Sequence, residues 1–212
     1  MNLKNHYYFF ESAIPNNICD DIIKYGLAHK EQLGLIGGVQ EKLDAGNQMN
    51  NSLMNDLKSK RNSNIVFLND TWIYRQVHPY VMEANNKAGW NFEWDWSEPA
   101  QFTKYKLNQY YDWHCDSWHE PYEHNHKDIE YRNKIRKLSV TCQLTDGSEY
   151  EGGQLEFDVS TPEHPNKYVQ CNEIFKKGSI VVFPSFVWHR VKPVTKGTRY
   201  SLVVWNLGYP YK

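Results

Sequence analysis

From about residue 100 onward the chain is a succession of short runs of strand character: Gln101–Lys106, Leu138–Thr145, Gln154–Val159, Tyr168–Phe175, Ser179–Phe183, Val187–Lys192 and Arg199–Leu207. They are rich in β-branched and aromatic residues, and turns carrying Gly or Pro separate several of them. Two helical patterns precede them. Ile18, Ile22, Ile23 and Leu27 share one stripe behind a cap at Asn16 or Asn17. Ile73, Val77, Val81 and Ala84 share another behind Asp70 or Thr71, with Pro79 marking a kink or a break. Many short strands after two helices restrict the chain to a mainly β sandwich or barrel with helices packed on one sheet. Trp90, Phe92, Trp94 and Trp96 alternate with strand period, and residues 37–64 read as a long polar loop or weak helix.

On that background a few polar residues stand out. His114 and Asp116, separated by Cys115, project to the same face if the segment is a strand, and His189 has to arrive from a distant strand. Two imidazoles and one carboxylate are the ligand set that leaves one face of a non-haem Fe(II) open. Taken alone, His189 reads equally as a hydrogen-bonded core histidine and Asp116 as a turn former. Arg199 follows His189 after a Gly-bearing turn, where its planar guanidinium can hold a carboxylate in two parallel hydrogen bonds. Ser139, Thr141 and Gln143 share one strand face and Val140, Cys142 and Leu144 the other. The apolar face is expected against the helices and the polar one inside the barrel, which makes Thr141 and Gln143 candidate co-substrate contacts. Trp113, Trp118 and Trp188 flank the presumed ligands and are candidate substrate contacts, with simple packing as the competing reading. The stretch 117–137, with His119, His124 and His126, reads as a solvated loop over the site mouth rather than a second metal site.

The segment Lys177–Ser185 followed by Trp188–Arg199 resembles the C-terminal motif of prolyl-4-hydroxylase-like, 2-oxoglutarate/Fe(II)-dependent dioxygenases, and within them the bacterial and phage PKHD-type hydroxylases. Leu138–Thr141, Leu144–Asp146 and Tyr150–Leu155 resemble the same group in the same order, so the similarity covers roughly residues 100–207. The resemblance implies a double-stranded β-helix, or jelly roll, with His114, Asp116 and His189 on Fe(II). It also implies Arg199 on the distal carboxylate of 2-oxoglutarate, and Tyr105 as a tyrosine that helps hold the co-substrate, against a packing role. The implied reaction consumes O₂ and 2-oxoglutarate, releases succinate and CO₂, and hydroxylates a C–H bond, with a prolyl residue in a protein or peptide as one substrate. A small molecule is another. Two competing functions on the same fold are a non-catalytic metal- or 2-oxoglutarate-binding sensor and a nucleic-acid demethylase.

Composition narrows the remainder. At 212 residues one domain is expected, with 1–97 as a helical supporting region and 98–212 as the catalytic core. A net charge of −1 without a basic block does not favour nucleic acid as a partner. No apolar run is long enough to span a membrane, and Cys19, Cys115, Cys142 and Cys171 have neither zinc-site nor redox-motif spacing. Free thiols in a cytoplasmic protein are the expectation, with oligomeric state left open. The 8 Trp and 15 Tyr are compatible with an aromatic-lined cleft and with ordinary core filling alike.

Overall fold

A computed structural model describes residues 3–34, 59–118 and 120–211. In chain order the elements begin with β1 (Tyr8–Phe10), α1 (Asn16–Leu27), β2 (Gln32–Leu33), β3 (Arg61–Asn62), β4 (Asn64–Leu68), α2 (Thr71–Lys87) and β5 (Trp96–Ser97). Then come β6 (Ala100–Tyr105), β7 (Tyr110–His114), β8 (Ile135–Gln143), β9 (Tyr150–Gly152) and β10 (Leu155–Asp158). The chain ends with β11 (Tyr168–Gln170), β12 (Ile180–Pro184), β13 (His189–Val191), β14 (Val194–Gly197) and β15 (Arg199–Gly208). The protein is mainly β with two long helices among the described residues, and every strand pair is antiparallel. The larger sheet runs β1-β12-β8-β15-β6-β4-β2 with β5 on β15; the smaller runs β11-β10-β13-β7-β3. No described helix is long and apolar enough to cross a membrane.

Two cores flank the larger sheet. On one side Val140, Cys142 and Leu144 meet Ile73, Val77, Val81 and Ala84 of α2 and Cys19 and Ile22 of α1, all fully buried. On the other side Tyr105, Val181 and Phe183 of the larger sheet meet Leu155, Phe157 and Val191 of the smaller. The alternation along β8 therefore sorts as expected, because a strand between two layers sends successive side chains to opposite ones. Phe102, 1% exposed, lies in the helix-side core with its ring stacked on Tyr200 and pressed to bare backbone at Gly26. Phe102→Ala is expected to cost about 3–5 kcal/mol, read as a lower denaturant midpoint at unchanged slope.

The departures from expectation have local causes. In α1 the buried face is Cys19, Ile22 and Gly26, while Leu27 is exposed and Ile18 and Ile23 are only partly covered. Small residues at 19 and 26 let the helix axis approach the sheet, and a Cβ at Gly26 would lie 2.5 Å from the Phe102 ring. The cap position belongs to Pro15 and makes no side-chain hydrogen bond, not to Asn16 or Asn17. The second helix runs unbroken through Pro79, its fully buried stripe offsetting the lost backbone donor.

Trp90, Phe92 and Trp94 are not strand residues; only Trp96–Ser97 pairs, with Asn206 and Leu207 of β15. Asn85 holds the segment as a loop by bonding both the N–H and the carbonyl of Phe92, and Asn91 takes a positive φ of 51°. The strand at Tyr168 stops at Gln170 before a 3-10 turn at Asn172–Ile174, and the one expected from Val187 begins at His189. Residues before 98 are not simply helical: β1, β2 and β4 extend the larger sheet and β3 the smaller. Most of the polar stretch 37–64 lies outside the described residues.

Candidate metal centre

His114 ends β7 and His189 opens β13, and the two are cross-strand partners in the smaller sheet. Asp116 lies just past the strand end rather than on it. Its placement comes from the turn after β12, where the Ser185 carbonyl accepts from both Asp116 N–H (2.8 Å) and Ser117 N–H (2.9 Å). One potential donor atom each from His114, Asp116 and His189 lies within 4.8 Å of the others, the one such group among the described residues. His114 Nε2 is 3.8 Å from Asp116 Oδ1 and His189 Nε2 is 3.6 Å from Oδ2. Each ring spends its Nδ1 on a nearby carbonyl, His114 on Asp112 (2.8 Å) and His189 on Val187 (2.9 Å). Those bonds keep the proton on Nδ1 and leave both Nε2 lone pairs turned to the carboxylate.

Burial pushes the His114 pKa down to about 3, helped by the neighbouring His189. Burial also works against ionisation of Asp116, but its neighbours His189, His114 and the Arg136 guanidinium and a hydrogen bond from Ser139 outweigh it, so this carboxyl sits below its ordinary range. Neutral imidazole beside ionised carboxylate is the protonation state that binds a divalent cation. It also has a stability consequence. Between about 3 and 6.5 the unfolded His114 carries a proton that the folded one does not, so stability falls as pH drops through that window. Urea titrations of the metal-free protein from pH 7.5 to 4.5 are expected to show a shallower loss in His114→Ala than in the parent.

Arg199 is 1% exposed, its Nε donates to Gln143 Oε1 (3.1 Å), and its Nη2 is buried with no hydrogen-bond partner. A narrow cavity of ≈ 30 Å³ joins this guanidinium to the three donors. Tyr105 and Thr141 line it, and Tyr105 faces Arg199 across the sheet register with the guanidinium 5.6 Å from its ring. Gln143 does not line it: its amide is spent on Arg199, the Thr145 carbonyl and the Tyr150 hydroxyl, which leaves it orienting the guanidinium. None of the three tryptophans lines the cavity. Trp113 packs on Tyr168 and Arg190, Trp188 is about half exposed, and Trp118 lies over Arg136. His126 packs on Tyr122 and Tyr131, and Cys115 is a half-buried free thiol bonded to the Ser117 carbonyl.

The sequence reading missed Tyr111, Trp205 and the Glu98–Arg136 pair. Tyr111 stacks on His114, centroids 3.5 Å apart and planes at 11°. A register shift where β7 pairs with β13 puts residues 111 and 114 on one face, against simple parity. Trp205 was legible: Arg199, Ser201, Val203 and Trp205 alternate along β15, and all four line the cavity. Its Nε1 is buried and unpartnered. Arg136 holds Glu98 through two bonds of 2.6 Å and lies 3.9 Å from the Trp205 ring.

A family model described as the 2OG-Fe(II) oxygenase superfamily matches residues 100–206. A PKHD-type hydroxylase of Xylella fastidiosa (strain M12) is 33% identical over 109 residues, 50% of this chain and 43% of that protein. One from Synechococcus sp. (strain CC9311) is 40% identical over 85 residues, 40% of this chain and 36% of that protein. The matched region thus spans less than half the length of these relatives. Among solved structures, a viral collagen prolyl hydroxylase from Paramecium Bursaria Chlorella virus-1, in its 2OG complex, superposes with TM-score 0.61 at 17% identity, covering 97% of both chains. A Pseudomonas putida prolyl-4-hydroxylase gives 0.60 at 16% identity over 96% of this chain and 92% of that one. A Trichoplax adhaerens prolyl hydroxylase, complexed with a hypoxia inducible factor peptide, gives 0.59 at 15% over 96% and 84%. At such identities these three speak to the fold.

Proposed function

Because this chain belongs to the 2OG-Fe(II) oxygenase superfamily, we propose that it is a 2-oxoglutarate-dependent hydroxylase on a double-stranded β-helix. His114, Asp116 and His189 would hold Fe(II), and Arg199 would hold the far carboxylate of 2-oxoglutarate. The observation that carries the reading is one cavity lined both by the three convergent donors and by Arg199, whose buried Nη2 has no hydrogen-bond partner. A buried cation lacking a partner is costly, and a dicarboxylate spanning to a metal supplies the missing acceptor. The metal, when bound with its co-substrate, supplies the O₂-dependent oxidation of a C–H bond.

The chain's own groups prepare that chemistry. The Asp112 and Val187 carbonyls hold the imidazoles by their Nδ1 protons, and the Ser185 carbonyl holds Asp116 in place. Held by only three protein donors, a metal here would keep room for a co-substrate. Gln143 aims Arg199, and the 1% exposure of the guanidinium keeps water from competing for it. Tyr111 and Trp205 put two aromatic rings on the cavity wall. The peptide-bound fold neighbour makes Pro-containing peptides the first substrates to try.

The test is anaerobic titration with Fe(II) and 2-oxoglutarate, followed by O₂. A weak visible charge-transfer band and then succinate, faster with a Pro-containing peptide, is the expected result. A band with no succinate under any substrate would point to a sensor. No band in folded, iron-loaded protein would overturn the assignment. Salt-dependent binding of DNA or RNA is not expected at a net charge of −1, and finding it near physiological salt would favour a nucleic-acid substrate.

A further inference from the structure

The arginine ion pairs among the described residues are Arg136 on Glu98 at 2.6 Å and Arg190 on Glu156 at 2.7 Å. Arg199 is in neither, and spends its Nε on a neutral amide, Gln143 Oε1 at 3.1 Å. We propose that Gln143 is the specificity-determining residue of this anchor. By holding the guanidinium through an uncharged acceptor it leaves the positive charge to the ligand. The site then takes a 2-oxo acid with a far carboxylate and discriminates against the same acid with a neutral far end. The proposal rests on the reading of Arg199 as the carboxylate anchor and adds what makes that anchor selective for charge.

Three observations carry it. The first is that the amide can face only one way. Gln143 Nε2 donates to the Thr145 carbonyl (2.8 Å) and to the Tyr150 hydroxyl (2.9 Å), while Oε1 accepts from Arg199. Turned round, its NH₂ would meet a group that only donates and its oxygen a carbonyl that only accepts. The second is that the supports are themselves fixed. Thr145 Oγ1 accepts from the N–H of Tyr200, next in the chain to Arg199, at 2.8 Å. Tyr150 comes from β9, opposite Gly197 of β14, and the bare backbone of Gly153 makes room for it beside the arginine stem. A Cβ at Gly153 would lie 3.1 Å from Arg199 Cδ and 3.3 Å from the Tyr150 ring. The third is dryness. Gln143 and Arg199 are both fully buried, and Arg199 Nη2 has no partner. In such a setting a carboxylate at 143 would sit on the guanidinium as Glu98 sits on Arg136, and a second carboxylate would gain far less from it.

Gln143→Glu makes that replacement with almost no change of shape, and the Tyr150 hydroxyl can turn to donate to the new carboxylate. Anaerobic titration of the Fe(II)-loaded protein, followed by the charge-transfer band, gives Kd for 2-oxoglutarate and for its 5-methyl ester. The ester keeps the chelating end and loses the far charge. In the parent it is expected to bind about tenfold more weakly, the difference between a charged and a neutral hydrogen-bond acceptor. In Gln143→Glu the Kd of 2-oxoglutarate should rise about tenfold and that of the ester less than about threefold, so the preference largely disappears. Mn(II) affinity should stay near the parent's. Gln143→Ala keeps the test open should the glutamate variant not fold. It opens space beside Arg199 Nε, bordering a pocket of ≈ 380 Å³, where added formamide should restore 2-oxoglutarate binding and formate should not. A preference retained in folded Gln143→Glu would overturn the proposal and leave the anchor standing. Formamide and formate acting alike on Gln143→Ala, each corrected for its effect on the parent, would do the same. No preference in the parent would remove the anchor, and the proposal with it.

Discussion

His189→Ala is expected to abolish turnover, with the loss set at the metal and not in the fold. His189 is 5% exposed, its Nε2 lies 3.6 Å from Asp116 Oδ2, and its ring packs against Phe183 and His114. Removing it leaves two donors and takes one of the two imidazoles away from Asp116, so Fe(II) affinity falls with the rate. Loss of outer-sphere partners of a metal ligand alone costs about 10–100-fold, so loss of a ligand should exceed a hundredfold. Isothermal titration with Mn(II) as a redox-silent surrogate, alongside succinate release, checks both halves. Retention of full succinate release by a folded His189→Ala protein would remove this residue from the metal centre. A fall in rate with undiminished Mn(II) affinity would do the same. A denaturation midpoint close to the parent's is needed to read either number, because the same ring also fills part of the core between the sheets.

The second large effect belongs to Arg199. Replacing it with Met keeps most of the buried stem and deletes the charge and its donors. Hydrogen bonds to charged groups contribute about 1.5–3 kcal/mol each, so the 2-oxoglutarate requirement should rise at least ten- to a hundredfold. Mn(II) affinity should stay near the parent value, because Arg199 is bonded to Gln143 and not to a ligand residue. Arg199→Lys should recover part of the affinity, restoring charge without the planar fork. An unchanged 2-oxoglutarate requirement in Arg199→Met would move the anchor elsewhere. A parallel loss of metal affinity would mean that the substitution has disturbed the cavity as a whole.

The candidate site was legible to different depths in different residues. His114, Asp116, His189 and Arg199 could be picked out because their residue types are chemically specific and their flanks resemble a known family. The faces of β8 were legible because period-two alternation survives wherever a regular strand separates two layers. Tyr111 was hidden by a register shift, since a single irregularity reverses the face of what lies beyond it. Gln143 pointed the expected way, yet its amide had already been claimed by three neighbours. The tryptophans at 90 and 94 kept strand period without a strand, because Asn85 satisfies the backbone of Phe92 more locally than a ladder would. In α1 the burial of Gly26 in place of Leu27 follows from how closely the helix meets Phe102.

By itself, then, the chain's sequence determined the mainly β character, the two helices and the set of residues able to hold a metal and a carboxylate. Those properties are carried by local periodicity and by side-chain chemistry, which act over a few residues at a time. Only the tertiary structure decided that His114 and His189 are cross-strand partners, that Asp116 is set by the Ser185 carbonyl, and that Arg199 lines the cavity of the three donors. The low pKa of His114 and the unpartnered nitrogen of Arg199 were likewise its products. Both arise from exclusion of water by segments far apart in the chain, and desolvation is a property of the packed whole that no window of sequence contains.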